Sequence, residues 1–281
     1  MSDGSPSTAI IGAGFLGREL ARCVSGPVLA TTRTGAWGDG DPPPSVSLAR
    51  LDLLLDPDAQ LDALLGDVAR VVICVAPGRS QDRRQVYVHG VARAIDHLSQ
   101  RSHRVARLVY TSSTSALVNV DAWIDDDDPR WPDDARGQLQ REAEALVRAR
   151  CEAAGIPWVV LRLGGLYGPG RPLGRLYRSA GDAPLAGDGM TATNLIHRDD
   201  AVAAAVAALA LPSARSGVIN VCADDHRPRR ELFAAAAARE GRPPPRWERG
   251  AAEPHGKRVR NVRMKSWLGI ELRHPNHVLD V

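Results

Sequence analysis

Gly12, Gly14 and Gly17 follow the apolar pair Ile10-Ile11 at G-x-G-x-x-G spacing. At the first position glycine allows a tight turn. At the second it lets the backbone approach a pyrophosphate, and at the third it lets a helix pack close to the preceding strand. Phe15 and Leu16 open that helix, whose N-terminal N–H groups are suited to phosphate oxygens. The spacing predicts a dinucleotide site at Gly12, Gly14, Phe15, Leu16 and Gly17. Further along, Val28 to Thr31 reads as a second strand, and its end is where such sites meet the adenosine ribose. A carboxylate there would bind the 2′-hydroxyl of NAD. Thr32 and Arg33 stand there instead, and a guanidinium can pair bidentately with a 2′-phosphate, so the predicted cofactor is NADP(H). Asp52 closes a third strand and suits either of two roles, acceptor for the adenine amino group or cap of a turn. Ala76-Pro77 forms a small turn placed for cofactor contact. The hydroxyl run from Thr111 to Ser115 ends a further strand, facing the crevice where open α/β sheets bind ligands. Thr111 and, at the end of the sixth strand, Leu163 complete the predicted cofactor contacts.

The elements that must position these residues follow from periodicity. Leu16, Leu20, Cys23 and Val24 share one helical face after the glycine turn. Asp56-Pro57 predicts an N-cap followed by proline at the first helical position, opening a helix through Leu61, Leu64 and Leu65. Val71 to Val75 is continuously apolar, as expected of a strand covered on both faces. A helical stretch spans roughly Gln81 to Ser99, the next strand begins at Leu108, Leu139 to Arg150 marks another helix, and Trp158 to Leu163 a sixth strand. This alternation predicts an α/β fold, a Rossmann-type doubly wound parallel sheet with a smaller C-terminal lobe. The division is expected near residue 165, with 1–165 binding the cofactor and 166–281 mainly facing substrate. A strand near Val218 to Val221 is expected to return to the main sheet. Between the fifth strand and its helix, Asp125 to Asp128 reads as a solvated turn, flanked by Trp123 and Trp131, which could close over a substrate.

Composition narrows the function classes. The chain has 281 residues, a net charge of +3 and 44% hydrophobic residues, enough for a substantial core. Its basic residues are almost all arginine, Lys257 and Lys265 being the only lysines, and they are scattered, which argues against a nucleic-acid partner. Cys23, Cys74, Cys151 and Cys222 lie in apolar surroundings without C-x-x-C or histidine spacing, so they read as reduced core residues with no metal site, in a cytoplasmic protein. The start lacks a secretory pattern, and the longest apolar run, Ala201 to Leu211, is too short to span a bilayer, so no membrane partner is expected. The expected partner is a small-molecule substrate. Helices covering such sheets often pair across a two-fold, which makes a homodimer possible.

With these segments in view, the chain resembles the extended short-chain dehydrogenase/reductase family, the NAD(P)-dependent epimerases, dehydratases and reductases. The resemblance rests on Gly12 to Gly17, on Tyr110-Thr111-Ser112-Ser113, on Arg162 to Gly170, and on Asn194-Leu195-Ile196-His197-Arg198-Asp199-Asp200. It implies a hydroxyl residue that polarises a carbonyl, a tyrosine that transfers the proton and a lysine four residues later. Ser113 matches the first. Aligned on Glu142-Ala143-Glu144, the helix puts Arg136 at the tyrosine position and Gln140 at the lysine position, and its segment contains neither residue type. A proton must then come from water through Ser113, from Tyr167 or from His197, unless the substrate is iminium-like and already charged. The expected activity is NADP(H)-dependent hydride transfer to or from a small polar metabolite such as a ketone, an imine or a sugar-like compound. The rival expectation is a catalytically silent NADP(H) sensor.

Overall fold

A computed structural model describes residues 7–38, 40–178 and 183–277. Among these residues eleven strands run in chain order as β1 (Thr8–Ile11), β2 (Val28–Thr32), β3 (Val46–Arg50), β4 (Arg70–Ile73), β5 (Arg107–Ser113), β6 (Trp123–Ile124), β7 (Trp158–Leu163), β8 (Gly165–Tyr167), β9 (Leu195–His197), β10 (Gly217–Val221) and β11 (Arg258–Val259). Seven of them form one sheet in the order β10-β7-β5-β4-β1-β2-β3, with every neighbouring pair parallel. Val71, Val72 and Ile73 in β4 and Val159, Val160 and Leu161 in β7 are wholly buried, as continuous apolar runs in a doubly covered sheet should be. The expected doubly wound architecture is present, and the strand order reverses between β1 and β4, where such sheets open a crevice at the strands' carboxyl ends.

The helices are α1 (Phe15–Cys23), α2 (Asp58–Leu65), α3 (Val91–Ser99), α4 (Ala135–Ala154), α5 (Arg175–Arg178), α6 (Arg198–Leu209), α7 (Arg229–Arg239) and α8 (Val262–Leu268). One core packs α1, α6 and α8 on the first face of the sheet, and a second packs α2, α3 and α4 on the other. A third, smaller core joins Tyr167, Leu173, Tyr177 and Leu195 to Leu232 and Phe233 of α7. Elements after residue 166 are therefore divided: α6, α8 and β10 complete the main sandwich, while α5 and α7 build beside it. The expected return of residues 218–221 to the sheet is observed as β10 pairing with β7.

Four local expectations are corrected. The buried face of α1 is Leu16, Gly17, Leu20 and Ala21, and Cys23 is exposed, so it is not a core residue. Asp56 does not cap α2. Pro57 occupies the cap position, and the Asp56 carboxylate accepts the Asp52 N–H at 2.8 Å and pairs with Arg50 at 2.6 Å. The stretch before α3 is not a regular α-helix, because Gln85–Gly90 forms a π-helical turn. The aspartate run is no simple solvated turn either. Asp126 is buried and accepts the Asn220 N–H at 2.6 Å, while Asp125, Asp127 and Asp128 pair with Arg260, Arg263 and Arg130. Burial pushes the Asp126 carboxyl above the usual carboxylate range.

Candidate active site

The glycine turn gives each of its three positions a separate task. Gly12 has φ +99°, and a Cβ there would lie 2.8 Å from the Cys74 carbonyl oxygen. A Cβ at Gly17 would lie 2.5 Å from the Gly12 oxygen, so this residue lets α1 sit against the turn. At Gly14 a Cβ would meet nothing within 4 Å. Among the described residues no contact explains glycine at this position, which faces open space at the N-terminus of α1. That terminus has no side-chain cap and no acid in its first turn. It is thus free to receive an anion. Next to the turn, burial pushes the Cys74 thiol up to about 12, so the cysteine there is an inert neutral thiol.

A groove runs along the carboxyl ends of the strands in two connected compartments that share Gly12, Thr32, Arg33, Val75 and Ala76. The smaller, of about 180 Å³, is walled by Thr31, Asp52, Leu53, Gly78 and Gln81. The larger, of about 490 Å³, is walled by Gly14, Phe15, Leu16, Thr111, Ser113, Leu163, Gly164 and Arg171, and by Tyr87, Arg136 and Gln140 from the helical side. Predicted residues scattered from position 12 to position 163 are therefore brought to one groove. Pro77 lies in the same turn as Ala76 but is not part of the wall, and Gly17 sits beneath it.

Side chains along the groove are held from behind. Ser113 Oγ accepts the Ser115 N–H at 3.2 Å, which fixes the short 3-10 turn Thr114–Ala116 after β5. The Lys257 ammonium donates to the carbonyls of Thr114 and Leu117 and anchors the same turn. Ser112 donates to Glu144 at 2.7 Å, and Glu144 receives Arg162 Nε at 3.0 Å and Nη2 at 2.8 Å. This buried carboxylate–guanidinium pair bolts α4 to β7 directly below Gln140, whose own oxygen lies 3.4 Å from Ser112 Oγ. Asp52 takes the turn-cap role, accepting the Leu54 N–H at 2.9 Å, while still lining the small compartment. Arg33 lines both compartments, and among the described residues its guanidinium has no carboxylate partner.

Two expected proton donors are placed elsewhere. Tyr167 is 3% exposed, its hydroxyl is 3.0 Å from His277 Nδ1, and it does not line the groove. His197 is also buried: its Nδ1 accepts the Asp199 N–H at the start of α6, and its ring stacks on His274. Both serve the packing of the C-terminal segment against α6 and β8. Trp123 lies edge-on to His226, and neither it nor Trp131 reaches the groove. The residue missed from sequence is Tyr87. Helical periodicity across 81–99 gave no reason to point it inward, and the π-helical turn is what sets its direction.

Comparison with known proteins agrees with this geometry. The model of the NAD dependent epimerase/dehydratase family matches residues 9–222. Protein YeeZ of Escherichia coli is 31% identical over 275 residues, covering 95% of this chain and 96% of that protein. A 3-diazoavenalumate denitrifying reductase from a Streptomyces species is 34% identical over 171 residues, covering 55% of this chain and 54% of that enzyme. The solved UDP-glucuronic acid 4-epimerase of Bacillus cereus in complex with NAD superposes with a TM-score of 0.82 over 98% of this chain and 95% of its own, at 18% identity, which is a likeness of fold. With the parallel sheet, the glycine turn and the family match in agreement, the chain belongs to the NAD-dependent epimerase/dehydratase family of enzymes.

Proposed function

We propose that this protein is an NADP(H)-dependent oxidoreductase that moves a hydride to or from a small polar metabolite held at the Ser113 end of the groove. The observation behind this reading is the continuity of the groove from Arg33 and Asp52, past the open face of Gly14, to Ser113. Gly12, Gly14, Phe15 and Leu16 would hold the pyrophosphate, Thr32 and Arg33 the 2′-phosphate, Asp52 the adenine side, and Ala76, Thr111 and Leu163 the stretch toward the nicotinamide. When bound, the nicotinamide supplies or accepts the hydride. Ser113 lies at the end of β5 with its oxygen already accepting one N–H, so its own proton is free to point at a substrate oxygen or nitrogen. Arg136 and Arg171 make the larger compartment cationic, which suits a substrate carrying an anionic or strongly polar group. The 3-diazoavenalumate relative, a reductase by name, favours reduction over epimerisation.

Calorimetric titration with NADPH and NADH tests the cofactor, and single-turnover reduction of a ketone, aldehyde and imine panel tests the chemistry. Preference for NADPH with measurable turnover is expected. Equal affinity for the two cofactors would remove the role given to Arg33. The replacement of the family's tyrosine and lysine by Arg136 and Gln140 favours a second reading, an NADP(H) sensor, which predicts tight NADPH binding without turnover.

A further inference from the structure

The larger compartment contains one phenol, Tyr87, on the wall opposite β5. It reaches there from the π-helical turn Gln85–Gly90, a local widening that recurs at functional sites because it re-aims a side chain. Tyr87 shares this wall with Gln140, the residue at the family's lysine position, and with Arg136, at the family's tyrosine position, and both of them act on its phenol. Both of those residues line the same compartment. We propose that Tyr87 delivers the proton to the substrate as hydride arrives, with Gln140 and Arg136 holding the phenolate that results. This rests on the hydride-transfer reading above.

The step balances for a ketone. As hydride reaches the carbonyl carbon, the C=O π pair moves onto oxygen. The Tyr87 O–H bond breaks, its proton goes to that oxygen, and the bonding pair stays on the phenolate. Solvent at the groove mouth then returns a proton to Tyr87. Gln140 is suited to the supporting role. Its oxygen faces Ser112, which is fixed by Glu144, and this leaves the amide N–H₂ to donate to the phenolate. Burial pushes the Tyr87 phenol up, and Arg83, Arg136 and Gln140 pull it back only in part. A phenol in that state stays protonated near neutral pH and can still give its proton to an alkoxide, whose conjugate acid is weaker.

Tyr87→Phe, with Tyr110→Phe as a control that also removes one phenol, tests the assignment. Tyr87→Phe should lower the rate of ketone reduction by ~10²–10⁴-fold, the usual contribution of a positioned acid, with NADPH affinity unchanged. Reduction of a preformed iminium salt, which needs no proton, should be nearly unaffected, a contrast that a merely structural role would not produce. Independently of any substrate, ultraviolet phenolate titration should lose one step in Tyr87→Phe, and that step should move to higher pH in Arg136→Met. Ketone reduction by Tyr87→Phe at the native rate overturns the assignment and leaves the oxidoreductase reading standing, and a Tyr87 step unmoved in Arg136→Met overturns the supporting role. A wild-type protein that binds NADPH but reduces no ketone, aldehyde, imine or iminium salt overturns both readings.

Discussion

Replacing Gly14 by valine should separate ligand binding from folding. The backbone at Gly14 has φ −87° and ψ −144°, and its Cβ position is clear of the described protein atoms to 4 Å. The substitution adds no clash to the core, so urea denaturation should shift by no more than ~0.5 kcal/mol, as for a surface change. The added side chain fills the space in front of the α1 N-terminus, and pyrophosphate oxygens would lose one or two charge-assisted hydrogen bonds. At ~1.5–3 kcal/mol each, this amounts to about 10-fold to about 10⁴-fold weaker NADPH binding by calorimetry. Gly17→Ala supplies the contrast. Its Cβ would sit 2.5 Å from the Gly12 oxygen and 2.9 Å from Cys74 Sγ, so overpacking should cost ~1–3 kcal/mol of stability. Unchanged NADPH affinity in Gly14→Val would refute the idea that this glycine is kept for a ligand.

Other outcomes follow from the same geometry. Arg33→Asp should weaken NADPH by about 100-fold or more without weakening NADH, since the 2′-phosphate exchanges a cation for a carboxylate that can instead bind the 2′-hydroxyl of NADH; paired titrations measure it. Ser113→Ala should slow hydride transfer by ~10²–10³-fold with NADPH affinity retained, as for a donor acting in the transition state; single-turnover kinetics decide. Glu144→Ala should destabilise the fold by ~3–5 kcal/mol in urea denaturation, because Arg162, 1% exposed, would keep a buried charge without its carboxylate. His226 is held below its ordinary range, chiefly by burial, against pulls upward from the Thr193 carbonyl, Asp225 and Asp224, with Arg258 also lowering it and Trp123 edge-on to the ring. The unfolded chain therefore binds this proton first as pH falls below about 6.5, and stability should drop there. His226→Gln should flatten the denaturation midpoint against pH in that window.

The sheet was legible because its strands are continuous apolar runs and its first turn has a fixed glycine spacing. The glycine spacing marked the turn before α1, and the strand ends marked Arg33 and Ser113, all of which line one groove. What the sequence did not disclose depends on contacts across long separations or on a one-residue change of helical register. Asp126 looked solvated until Asn220, 94 residues away, supplied its donor. Tyr167 and His197 were plausible donors by type, but the segment bearing His274 and His277 packs over them. Tyr87 was invisible because a π-helical turn has no signature in apolar periodicity.

Transfer of label from nicotinamide-deuterated NADPH decides whether the groove moves a hydride. The wild-type protein is incubated with the labelled cofactor and the ketone, aldehyde and imine panel, and products are analysed by mass spectrometry. One deuterium is expected in the product of at least one class, from one face of the nicotinamide, with less label in Gly14→Val at the same NADPH concentration. Saturable NADPH binding with no label in any product would contradict hydride transfer.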